Sequence, residues 1–121
     1  MKDIKNGEYR TIATSGEIAS IVADGHMALV RRGAGEKAGF ADEAYAAVGA
    51  TLVDTMEEIY TRADFVTKVK ELEPCEFSLL REGQIIFTCI HPAAHREEVQ
   101  AILDSKCIAI TAEDCHRFAA A

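Results

Sequence analysis

No stretch of the chain approaches the ~18 consecutive apolar residues of a membrane span, and the opening MKDIKNGEYR is charged and polar, without the apolar core of a signal peptide. A cytoplasmic location is the default expectation. The chain is short of positive charge as well: 13 Lys and Arg stand against 20 Asp and Glu, giving a net charge of −7 and a pI near 5.0. Such a field repels phosphate backbones and anionic lipid, so nucleic acid and membrane surfaces are excluded as partners. The four cysteines, Cys75, Cys89, Cys107 and Cys115, form no C-x-x-C pair, and they are read as reduced thiols rather than metal ligands. There is no internal repeat or low-complexity linker, and 121 residues leave no room for a second domain of comparable bulk. One domain spanning residues 1–121 is expected.

What is present is the balance of a packed globular protein, 49% hydrophobic and 27% charged. Helical and extended patterns alternate, which predicts an α/β fold with a mainly parallel sheet. Helices are expected over Ser15–Gly25 (with Ser15 as cap), Asp42–Val48, Thr55–Arg62, Phe77–Glu82 and Ala93–Leu103. Strands are expected over Met27–Val30, Thr51–Val53, Phe65–Val69, Gln84–Ile90 and Cys107–Thr111. The helix Ala93–Leu103 sets Arg96, Glu97, Glu98 and Gln100 between apolar Val99, Ile102 and Leu103, the pattern of a helix solvated on one side.

Open parallel sheets bind ligands beyond the carboxyl ends of their strands, so polar residues that close apolar runs come first. Lys70 follows one such run and His91 another, which would bring both to one sheet edge. An ammonium that polarises a carbonyl beside an imidazole that titrates close to neutral pH suits carbonyl chemistry. The bland alternative is a lysine that snorkels to solvent and a histidine that satisfies a local hydrogen bond. The glycine-rich Gly33–Gly39 stretch, with Asp54 ending the next strand, imitates a dinucleotide fingerprint. A true phosphate turn opens its helix within the glycines, however, whereas here the helix starts beyond them, at Ala41–Asp42. The His91, His95 and Glu98 spacing lacks the further ligand a metal site needs, and no metal is expected.

Several blocks, in order, resemble the N-terminal domain of the alanine dehydrogenase and pyridine-nucleotide transhydrogenase family: KNGEYR (5–10), DGH (24–26), GAG (33–35), AAVGA (46–50), ADFVTKVKE (63–71) and LLREGQIIFTCIH (79–91). The likeness runs from about Lys2 to Glu113. It implies a doubly wound, Rossmann-like or flavodoxin-like sheet. It also implies that Arg10 holds a substrate carboxylate, that Lys70 binds the carboxylate or carbonyl oxygen, and that His91 is the general acid/base. The substrate class would be a small amino or 2-oxo acid, alanine or pyruvate. Hydride chemistry in this family uses NAD held by a second domain, for which these residues have no room, so a separate NAD-binding polypeptide is the implied partner. The family also implies a homo-oligomer. His91 favours the alanine dehydrogenase branch, since transhydrogenase domains typically lack a histidine there.

Three departures qualify the match. The family's opening strand, of the type M-x-V-G-V-P, is missing, because Met1–Asp3 already matches the family's residues just beyond that strand. Ser15 and Pro92 stand where the family has proline and more often leucine, and DCHRFAAA leaves the pattern. A non-catalytic small-acid-binding module or remnant, or a transhydrogenase-type domain, are the alternative readings.

Overall fold

The computed structural model describes Lys2, Ile4 and residues 7–115; Lys5 and Asn6 of the KNGEYR block, and the tail from residue 116, lie outside the described residues. Helices α1 (Ser15–Ala23), α2 (Asp42–Ala47), α3 (Met56–Arg62), α4 (Pro74–Phe77) and α5 (Arg96–Ser105) alternate with strands β1 (Leu29–Arg31), β2 (Thr51–Val53), β3 (Phe65–Thr67), β4 (Ile85–Thr88) and β5 (Ile108–Thr111). Among the described residues every strand pairing is parallel, in the sheets β1-β2 and β3-β4-β5.

Local chemistry explains most of the boundaries. Thr14, not Ser15, caps α1: the Glu17 carboxylate accepts the Thr14 backbone N–H at 2.7 Å, which closes a capping box. Thr55 caps α3 by accepting the Glu58 N–H at 3.2 Å. The helix expected at Phe77–Glu82 instead spans Pro74–Phe77. Pro74 occupies the first helical position, where its missing N–H costs nothing, and Glu73 with Glu76 forms another capping box. Strands β3 and β4 end sooner than expected, at Thr67 and Thr88, so Lys70 and His91 lie on the segments after the strands.

Each strand alternates its side chains between two faces. Around β1-β2, Val30 and Leu52 pack with Ile18 and Tyr45 from α1 and α2, while Leu29 and Val53 pack on the opposite face with Ile59 and Tyr60 from α3. This sheet is therefore covered on both sides, which is the doubly wound arrangement. On β3-β4-β5, Val66 and Ile86 belong to the α3-side core, with Ala101 and Ile102 of α5 beside them. The other face carries Phe65, Ile85, Phe87, Ile108 and Ile110, of which Phe65 and Ile108 are 52% and 51% exposed. Parallel sheets are ordinarily buried on both faces. This apolar face should bind the dye 8-anilinonaphthalene sulfonate in the folded protein, and Phe65→Ser with Ile108→Ser should lower the fluorescence at least about twofold. Unchanged fluorescence would mean that the face is covered in solution.

Among the described residues no helix is long and apolar enough to cross a membrane, no group of three His, Cys, Asp or Glu is placed to hold a metal ion, and the four cysteines are free thiols.

Candidate functional site

Strands β3 and β4 are parallel neighbours, with Thr67 opposite Phe87, so the segments that continue them leave the sheet at the same edge. Lys70 is on one and His91 on the other. The backbone before Lys70 is held from β4: the Thr88 hydroxyl lies 3.0 Å from the Lys68 carbonyl oxygen and also within reach of that of Lys70. Arg10 comes to the same edge from the N-terminal segment. Its charge and that of Lys70 both act on the Cys89 thiol, and Lys70 also acts on the Glu8 carboxylate. Arg10 and Lys70 thus both lie near Cys89, and His91 follows Cys89 on the segment that continues β4.

Three side chains at this edge were not singled out from sequence. Glu8 takes the Arg10 guanidinium in a fork, Nε to Oε1 at 2.9 Å and Nη2 to Oε2 at 2.8 Å, and also accepts the Arg10 backbone N–H at 2.9 Å. Those bonds hold its carboxyl down to about 2, so Arg10 is oriented by a partner that stays ionised at any physiological pH. Glu113, just beyond β5, accepts the N–H of His91 at 2.8 Å and of Ile90 at 3.1 Å on one oxygen. These bonds lower its pKa, the His91 N–H foremost, and the same oxygen lies 3.5 Å from His91 Nδ1. Cys89 is pushed up by burial and by Glu113, with Lys70 and Arg10 acting the other way. The usable sequence signal for Glu113 was its place directly after the last strand, at the edge already under suspicion.

Glu113 also explains an unusual backbone. His91 has φ 52, in the left-handed region, and precedes a proline. A non-glycine residue there is strained, and the two N–H bonds to Glu113 hold it. The imidazole is half exposed.

The glycine-rich stretch is a different matter. Arg31 belongs to β1, and the turn after it is closed by the protein itself, because Asp42 Oδ1 accepts the Gly33 N–H at 2.8 Å. A cavity of about 420 Å³ there is lined by Lys2 and Arg32 but also by Glu36, Asp42 and Glu43. A carboxylate fills the position a phosphate oxygen would need and two more stand around it, so these residues do not fit the pyrophosphate of a dinucleotide.

The model of the alanine dehydrogenase/PNT N-terminal domain family matches residues 1–121. The chain belongs to that family. An alanine dehydrogenase from Methanococcus maripaludis is 38% identical over 112 residues, 93% of this chain and 30% of the relative. One from Mycobacterium tuberculosis is 40% identical over 111 residues, 92% of this chain and 30% of the relative. Among solved structures, an L-alanine dehydrogenase superposes with a TM-score of 0.87 at 35% identity, covering 91% of this chain and 30% of that one. A transhydrogenase from Sinorhizobium meliloti superposes with a TM-score of 0.89 over 98% of this chain and 35% of its own; at 22% identity it speaks to the fold alone. The chain spans about 30% of the length of the alanine dehydrogenases it matches.

Proposed function

We propose that this family domain is the substrate-binding part of an alanine dehydrogenase-type oxidoreductase, and that it takes a small 2-oxo or amino acid such as pyruvate or alanine. The observation that carries the reading is the gathering of Arg10, Lys70 and His91 at one carboxyl edge, with Glu8 and Glu113 orienting the first and the last. Arg10 presents a guanidinium for a carboxylate, Lys70 an ammonium for a carboxylate or carbonyl oxygen, and His91 an imidazole able to hold or give up a proton at that oxygen. The family's NAD has no fitting phosphate turn among these residues, as the Asp42 contact at Gly33 argues, so the nucleotide belongs to another unit, in this chain's longer form or in a partner polypeptide.

Isothermal titration tests this. Pyruvate should give binding heat, Lys70→Ala should weaken it at least about tenfold, and NADH should give none. A folded sample that binds neither pyruvate nor L-alanine would end the substrate reading and leave a non-binding remnant of the family.

A further inference from the structure

Helix α5 buries one of the carboxylates that its sequence pattern assigns to the solvated face. Glu98 is 2% exposed, whereas Leu103 on the same helix is 65% exposed. Glu98 Oε1 accepts the backbone N–H of Leu72 at 2.7 Å, across from α5 to the segment beyond β3. Its other oxygen is buried and meets no hydrogen-bond partner among the described residues.

That segment is the one that carries Lys70. It is fastened at several places: the Lys68 and Lys70 carbonyl oxygens lie at the Thr88 hydroxyl, the Leu72 N–H is on Glu98, and the Glu73 N–H is on Glu76 at 2.7 Å. The Lys70 backbone therefore runs between a clamp at its own carbonyl and a clamp two residues on. The charges that act on Glu98 include Glu71 and Lys68 from this segment and Glu76 from α4. At the start of α5, His95 Nε2 stands 3.6 Å from Glu71 Oε1. Lys68 pairs with Glu76 at 2.9 Å, and its charge also acts on Glu98.

We propose that Glu98 is a positioning residue for Lys70: its ionised carboxylate grips the Leu72 N–H, which sets where the Lys70 ammonium stands, and protonation of Glu98 loosens that grip. The proposal rests on the reading of Lys70 as a substrate-binding residue. An N–H donated to a carboxylate is roughly twice as strong as one donated to a neutral oxygen. Burial raises Glu98 to about 7, with Glu71 adding to the effect and the Leu72 N–H opposing it. The grip is thus tight above neutral pH and weak below, within a range a cell can reach.

Amide hydrogen exchange of Leu72, corrected for the intrinsic pH dependence of exchange, reads the grip without any ligand. In the wild type, Leu72 protection should rise about tenfold between about pH 6 and about pH 8. In Glu98→Gln, which keeps an acceptor oxygen that cannot ionise, protection should be intermediate and flat; in Glu98→Ala it should be low throughout. Pyruvate affinity should follow the same step in the wild type and lose that component in Glu98→Gln, while any contribution from His91 or His95 persists in both. Equal protection profiles for wild type and Glu98→Gln overturn the proposal whether or not pyruvate binds. A protection step that pyruvate affinity does not follow overturns the positioning role. A protection step in a protein that binds no pyruvate at any pH supports the clamp and overturns the substrate reading instead. Glu98→Gln decides the matter even if Glu98→Ala fails to fold.

Discussion

Lys68→Ala is expected to destabilise the domain by about 3–5 kcal/mol, read as a large fall in the urea midpoint. Lys68 and Glu76 are both fully buried side chains, paired at 2.9 Å. Glu76 also accepts the Tyr60 hydroxyl on Oε1 at 2.9 Å and the Glu73 N–H on Oε2 at 2.7 Å. The pair therefore ties β3's continuation, α3 and the start of α4 to one carboxylate, beneath Val66, Leu72 and Ile86. Truncating the lysine leaves that carboxylate in the core with no cation, and the cost is mainly that of an uncompensated buried charge rather than of the lost attraction. Domains of this size are stable by about 5–15 kcal/mol, so the loss takes a large share of the total and brings the variant close to unfolding only at the low end of that range. Replacing both partners, Lys68→Met with Glu76→Gln, should recover a good part of the loss, because the neutral amide can still accept from Tyr60 and neither member of the pair remains charged. A single variant that loses less than about 1 kcal/mol would show that the pair is solvated in solution, since that is the range of an exposed ion pair.

Gly35→Ala should cost about 1–3 kcal/mol, with the same measurement as the check. The backbone would allow it, since φ at Gly35 is −103. The space would not: a Cβ there would stand 2.5 Å from the Tyr45 hydroxyl oxygen and 2.8 Å from Phe40 Cβ. Tyr45 is 1% exposed and donates its hydroxyl to the Ala13 carbonyl oxygen at 2.8 Å, so it has nowhere to retreat without breaking that bond. The outcome bears on how the glycines are understood. If they served a phosphate, Gly35→Ala would leave stability unchanged and weaken nucleotide binding. If they serve packing, stability falls and there is no nucleotide binding to weaken.

The same glycines show how sequence and structure divide the work. Gly33-Ala34-Gly35 after an apolar run reads as a dinucleotide turn at the level of pattern, and the late start of the helix and the two arginines after the strand argued against it locally. What decides the point is Asp42, nine residues along, whose carboxylate takes the Gly33 N–H. Helix α4 was displaced for a simpler reason. The Phe77–Glu82 stretch has helical spacing, but the Glu73-Pro74-x-Glu76 signal that starts a helix earlier is a local one, and it was legible to a closer reading of capping chemistry. Glu98 was read as part of a solvated face because glutamate between apolar positions on an amphipathic helix usually is. Its burial depends on Leu72, 26 residues away, offering an N–H at the right place.

By itself the sequence determined the alternation of helices and strands, the parallel sheet that this alternation builds, and the meeting of Lys70 and His91 at one edge. These depend on periodicity and on the rule that parallel strands end together, both of which act over a few residues at a time. Only the tertiary structure decided which charges are buried and what holds them: Lys68 on Glu76, Glu98 on Leu72. A buried polar group is tolerated only where a partner distant in the chain arrives at hydrogen-bond distance, and that arrival is a property of the packed fold, which no local pattern encodes.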